Sequence, residues 1–180
     1  MTDDTDAALV VRCRNGDRIA FDALLTRYER QVFSAAFRIL HNREDAIDVT
    51  QTAFLRAYEH FDRYDAGQRF DSWVYRIAVN EALDLVRARR PSEALADDAL
   101  DEQPGPEEAA AHEQDDALMQ GALMQLKVEY RVVIVLKHLQ GCSYEEMAQV
   151  LDCPVKTVKS RLFTARQALR DVLVARGQLT

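Results

Sequence analysis

The sequence predicts an all-α fold made of two small helical domains joined by an acidic linker. Three observations carry this. Apolar residues recur at three- and four-residue steps over long stretches, no segment alternates convincingly at period two, and one internal span lacks both cations and aromatic rings. The first helix predicted follows Gly16-Asp17, with Asp17 as its cap and Phe21, Leu24, Leu25, Tyr28, Val32, Ala36 and Ile39 as its apolar stripe. A second starts near Asn42 and runs to about Phe61. Its first turns carry Glu44, Asp45 and Asp48, which complement the positive end of the helix dipole. The loop DRYDAGQR follows, with Gly67 as the expected break, and then a helix from about Phe70 to Arg90 that Pro91 stops.

Residues 91–116 contain Pro104-Gly105-Pro106 and no aromatic side chain, and bury too little apolar surface to offset their ordering entropy. They are assigned as the linker, with room for a short helix of its own. The domains are then 1–90 and 117–180. Charge follows the same division. The whole chain is −7, but 1–90 is −1, 91–116 is −10 and 117–180 is +4. The bulk acidity therefore does not exclude a nucleic-acid partner for the basic C-terminal third. It also predicts that the acidic segment can lie against that third and mask it, since tethering raises the local concentration of opposite charges.

Within the C-terminal third, Ser143-x-x-Glu146 is a capping box that opens a helix with Tyr144, Met147, Ala148 and Leu151 on one face. The turn Leu151-Asp152-Cys153 and Pro154, placed at the first helical position, open the next. There Val155, Val158, Leu162, Ala165, Leu169 and Val172 form an apolar seam. Lys156, Thr157, Ser160, Phe163, Thr164 and Gln167 point the other way, flanked by Lys159, Arg161 and Arg166. Short donors and acceptors with one exposed ring suit base edges and thymine methyls in a major groove, and the flanking cations suit its phosphate walls. The bland alternative is a solvated basic face. The capping box, short turn, proline start and exposed Phe163 together favour a helix-turn-helix.

Two features mark the N-terminal domain. Seven of the fourteen aromatic residues lie between Phe54 and Tyr75 and bracket the polar loop 62–69. Most are expected to be core, including Phe54, Phe61 and Trp73, while Tyr64 in the loop is the candidate for stacking an unpaired base. Arg76, Asn80, Asp84 and Arg87 form a polar stripe on the following helix, suited to bases or phosphates, or to an intrahelical ion network. Cys13, Cys142 and Cys153 show no metal-ligand spacing and read as free thiols of a reducing cytoplasm, best placed as buried structural residues. The acidic start MTDDTD has no signal-peptide pattern, and no apolar run has membrane-span length. No carboxylate cluster with an attendant base, metal-spaced His/Cys set or Gly-rich phosphate loop is present, so no enzyme chemistry, metal, cofactor or small-molecule substrate is expected.

In order and spacing, GDRIAFDALLTRY, EDAIDVTQTAFLRAYEHF, FDSWVYRIAVNEALDLVRARR and GCSYEEMAQVLDCPVKTVKSRLFTAR resemble regions two and four of the extracytoplasmic-function group of bacterial RNA polymerase sigma factors. The resemblance spans nearly the whole chain except the linker. It implies promoter-specific initiation as a dissociable subunit of core RNA polymerase, with a cognate anti-sigma factor as a further partner. Asp45, Asp48 and Gln51 would bind the polymerase clamp helices. Tyr64, Arg76, Asn80, Asp84 and Arg87 would recognise and open the minus-ten element, with a flipped base near Tyr64 and Asn80. Arg131, Lys156, Thr157, Lys159, Ser160, Arg161, Phe163, Thr164, Arg166 and Gln167 would serve the minus-thirty-five duplex. Lys156 stands where the family usually has Gly, and Thr164 where it commonly has a basic residue. A shifted upstream preference is therefore expected. The alternative is a helix-turn-helix regulator with an N-terminal sensing or dimerisation domain, which would need neither the acidic stripe nor the aromatic loop.

Overall fold

The computed structural model describes residues 5–65, 67–89 and 110–177, with side chains from 116 onward in the last span. Among them the helices are α1 (Asp6–Arg14), α2 (Arg18–Leu40), α3 (Arg43–Glu59), α4 (Phe70–Arg89), α5 (Ala110–Met124), α6 (Val128–Ile134), α7 (Tyr144–Val150) and α8 (Val155–Ala175). A 3₁₀ turn, Phe61–Arg63, follows α3, and a π-helical turn, Val135–Leu139, continues α6. No described residue is in a strand.

The predicted starts hold because side chains satisfy the free N–H groups of each first turn. Asp17 Oδ1 accepts from Ile19 and Ala20 N at 3.0 and 3.3 Å, and Asn42 Oδ1 accepts from Asp45 N at 3.0 Å. The sequence reading did not place α1. Its apolar pattern is weak, yet Leu9 and Val10 are buried, and Tyr28 of α2 donates a hydrogen bond to Asp6. Tertiary packing fixes this helix more than its own periodicity does.

Helices α2, α3 and α4 pack around rings from the aromatic-rich segment. Phe21 meets Phe61 and Phe70 edge-on at 6.1 and 6.4 Å, and Phe70 and Trp73 lie 6.1 Å apart. The second half packs α6 and α7 on α8, burying Leu136, Met147, Val158 and Leu162. The halves also touch. Helix α7 lies on α4, and α5, α6 and the π turn lie on α2. Tyr75 Oη donates to Gln140 Oε1 at 2.6 Å, Arg69 pairs with Glu146 at 3.2 Å, and Gln120 Nε2 donates to the Arg38 carbonyl at 3.2 Å.

Most of the span assigned as linker lies outside the described residues. Its last part does not, since α5 begins at Ala110. Asp116 pairs at 2.8 Å with Arg38 of α2 in the first half rather than with the basic second half.

Candidate nucleic-acid interface

The capping box forms as predicted. Ser143 Oγ accepts from Glu146 N at 3.1 Å and Glu146 Oε2 accepts from Ser143 N at 2.7 Å. Burial alone would raise the Glu146 carboxyl. The Ser143 hydrogen bonds, helped by the Arg69 and Lys137 cations, outweigh it and hold the group below its ordinary range. The chain then turns through Asp152 in the left-handed region at φ 47°, a conformation aspartate tolerates better than bulkier side chains. Pro154 sits one position earlier than expected, as the cap residue before Val155.

Helix α8 divides as its periodicity requires. Val158, Leu162 and Ala165 are buried, while Lys156, Lys159, Ser160, Phe163, Thr164, Arg166 and Gln167 are exposed, and Thr157 and Arg161 lie half-buried at the edges. Phe163 is 66% exposed. Thr164 Oγ1 donates to the Ser160 carbonyl at 3.2 Å, so its donor is used inside the helix while its oxygen can still accept. Arg166 Nε donates to His138 Nε2 at 3.2 Å. Burial, then the neighbouring Arg166 and Lys137, lowers the His138 pKa and keeps the ring neutral as acceptor.

Arg131, predicted at the DNA face, is placed elsewhere and is only 7% exposed. Its Nε donates to the Leu123 carbonyl at 3.0 Å and its Nη2 to those of Met124 and Leu126 at 3.2 Å, while Nη1 crosses to the Ile39 carbonyl of α2. The carbonyls at helix C-termini lack intrahelical partners, and a cation there meets the negative end of the dipole. One guanidinium thus closes the end of α5 and reaches the end of α2. Burial lowers its pKa to about 10, so it remains charged at neutral pH. The signal in the sequence was an arginine directly before the apolar run Val132 to Leu136.

In the first half, Asp48 and Gln51 are exposed on α3, and Gln51 lines an apolar groove of about 740 Å3 with Phe21, Leu25, Phe54, Leu55 and Tyr58. Asp45 is partly withdrawn from that surface, because its carboxylate accepts from both Nη atoms of Arg89, one at 2.7 Å. Arg76, Asn80, Asp84 and Arg87 are exposed along α4, with Arg87 and Asp84 paired at 3.0 Å.

Tyr64 is placed differently from the expectation. It is 4% exposed, its ring lies 5.0 Å from that of Trp73, and its hydroxyl donates to the Gln68 carbonyl. Side chains three apart in a 3₁₀ turn eclipse, so Phe61 and Tyr64 point the same way into the core. The open aromatic feature here is instead a groove of about 240 Å3 lined by Arg56, His60, Arg63, Trp73, Ile77, Asn80 and Glu81, in which Glu81 pairs with Arg56. Sequence reasoning assigned Trp73 to the core and passed over Arg56, His60 and Arg63. Their i, i+4 and i+7 spacing from Arg56 was the available signal.

The chain matches the Sigma-70 region 2 family over residues 24–92 and the Sigma-70 region 4 family over residues 117–169. It is 35% identical to the RNA polymerase sigma-H factor of Pseudomonas aeruginosa over 96% of each chain. It is 37% identical to the ECF RNA polymerase sigma-E factor of Escherichia coli K12 over 92% of each. The chain belongs to the extracytoplasmic-function sigma factors. This sigma factor directs promoter-specific transcription initiation with core RNA polymerase and is not an enzyme. That decides against a conventional helix-turn-helix regulator. Among solved structures it resembles CnrH, determined in complex with the cytosolic domain of CnrY, with a TM-score of 0.75 and 30% identity over 96% of this chain and 99% of that one. It also resembles the sigma factor RpoE of Bartonella quintana, determined with the anti-sigma factor NepR, with a TM-score of 0.70 and 25% identity over 85% and 96% of the two chains. Among its described residues no helix is long and apolar enough to cross a membrane.

Proposed function

We propose that the halves divide promoter recognition between them, residues 1–90 engaging the polymerase clamp and the minus-ten element, and residues 117–180 reading the minus-thirty-five duplex. The exposed face of α8 carries this reading. A 66% exposed Phe163 between Ser160 and Gln167, flanked by Lys156, Lys159 and Arg166, is suited to thymine methyls and base edges. Thr157, Arg161 and Thr164 border or share that face. In this reading Arg131 supports the face from within and does not touch DNA.

In the first half, exposed Asp48 and Gln51 and the apolar groove that Gln51 lines are the docking surface for the clamp, with Asp45 holding α3 to α4. Strand opening belongs to the groove at Trp73. An unstacked base can lie on the indole, Asn80 can reach its edge, and Arg63 can meet the backbone phosphate. Arg76, Asp84 and Arg87 extend the polar track, and Tyr64 supports Trp73 from behind. A sigma factor working on polymerase acts in the cytoplasm. The likeness to CnrH, solved with the cytosolic domain of CnrY, and to RpoE, solved with the anti-sigma factor NepR, supports a cognate anti-sigma factor for this chain.

The test is transcription from genomic promoters of the source organism with purified core polymerase. Initiation at a defined promoter set is expected, with Ser160→Ala plus Phe163→Ala weakening those that need the upstream element by about 1–3 kcal/mol per lost contact. Absence of any directed initiation would overturn the reading.

A further inference from the structure

The two halves meet at the end of α2, and that seam is polar and incompletely paired. Arg131 of α6 reaches across it to the Ile39 carbonyl, and Gln120 of α5 donates to the Arg38 carbonyl. His41, the residue that ends α2, holds the left-handed conformation at φ 52° with its ring 5.8 Å from that of Phe37. Its Nδ1 is buried without a hydrogen-bond partner, and so is Oε1 of Gln120. Among the described residues, both buried side-chain polar atoms that lack a partner thus belong to this seam. A permanent core pairs nearly all such atoms, so a seam that concentrates the exceptions is suited to open.

The charges around His41 favour its neutral form. Helix α5 brings Asp116, which Arg38 holds, and α6 brings Arg131, a buried cation with no carboxylate. The π-helical turn brings Lys137, engaged by the Cys142 carbonyl, and His138, engaged by Arg166. Arg43, which opens α3, lies over the Phe33 ring. Burial, then the Arg131 charge, lowers the His41 pKa. A proton on Nδ1 would add a buried N–H with no acceptor and a second cation beside Arg131. With the halves apart, the ring would meet water and lose that neighbour.

The halves have to part to work as proposed. The minus-ten and minus-thirty-five elements lie roughly 25 base pairs apart, about 85 Å at 3.4 Å per pair. Halves joined by the 2.6 Å hydrogen bond from Tyr75 of α4 to Gln140 do not span that distance. We propose that His41 is a proton-sensitive latch of the free protein. Neutral, it lets the second half stay docked on the end of α2; protonated, it repels Arg131 and releases the halves. The purpose of opening rests on the division of the promoter between the halves, whereas the latch itself does not. The sign follows from linkage: the docked form binds this proton more weakly than the open one, so falling pH favours opening.

The test is single-molecule energy transfer between dyes on α3 and α8 of the full chain, from about pH 7.5 to about pH 5.5. The ratio of open to closed molecules should rise in the wild type, by at most about tenfold per pH unit for one proton. His41→Asn suits the left-handed conformation and carries no titrating group, so its ratio should stay flat. His138 is present in both proteins and does not distinguish them. Unchanged helical circular dichroism across the range separates opening from unfolding. The His41 imidazole, followed by NMR, should titrate below the ordinary value of about 6.5. A flat wild-type ratio, a response kept by His41→Asn, or a His41 titration at or above that value overturns the latch. A wild type already open at neutral pH overturns it too, while transcription assays still support or remove the division of the promoter. An intact pH response without directed initiation would keep the latch and remove that division.

Discussion

Replacing Arg131 by methionine separates two roles that the sequence alone confounds. The side chain is 7% exposed and satisfies four carbonyls, three at the end of α5 and one at the end of α2. Hydrogen bonds from a charged group contribute about 1.5–3 kcal/mol each, and burying the cation without a carboxylate takes several kcal/mol back. Methionine removes both terms but leaves the carbonyls without partners, at about 1–3 kcal/mol each where water cannot reach them. Water reaches the more open of these, so a net loss of about 3–5 kcal/mol is expected. For a chain of this size each kcal/mol lowers Tm by about 2–4 °C, which predicts a fall of about 6–20 °C. Thermal melting by circular dichroism reads this directly. The loss of the Ile39 contact should also loosen the halves, read as a longer distance between dyes on α3 and α8. Preserved Tm together with a lost minus-thirty-five affinity would refute the burial argument and return Arg131 to the DNA face.

Other consequences are more local. Trp73→Ala should weaken binding of a single-stranded minus-ten oligonucleotide by about 1–3 kcal/mol, the worth of one stacked base, measured by fluorescence anisotropy with the holoenzyme; an unchanged affinity would leave the groove without a base. Asp48→Arg should abolish co-elution with core polymerase while melting as the wild type does, and retained co-elution would remove the clamp assignment. Ser143→Ala removes the α7 cap and should cost about 1 kcal/mol in urea unfolding. Glu146 has a lowered pKa in the folded protein, so its contribution is present above its unfolded value and lost as pH falls through the folded one. Glu146→Gln should therefore flatten the acid limb of the stability curve, and an acid limb identical to that of the wild type would deny it this role.

Local rules determined the helical class, the starts of α2, α3 and α7, and the division of α8 into two faces. Each depends on chemistry within one or two turns: Asp17, Asn42 and Ser143 meet free amides nearby, and the seam Val158, Leu162 and Ala165 follows from 3.6 residues per turn. The family was legible for the same reason, since its motifs are contiguous. What needed the tertiary structure were the destinations of side chains whose partners are distant in sequence. Tyr64 left the loop surface because Trp73 and Phe61 offered it apolar cover. Arg131 left the DNA face because carbonyls from two helix ends converge on it, one of them 92 residues away. Lys137 and Lys159, 22 positions apart in sequence, meet only because the fold brings both to the Tyr144 ring. Sequence spacing determines which face of a helix a residue occupies, but what lies opposite that face is decided by packing, because burial and electrostatic energies depend on distance in space.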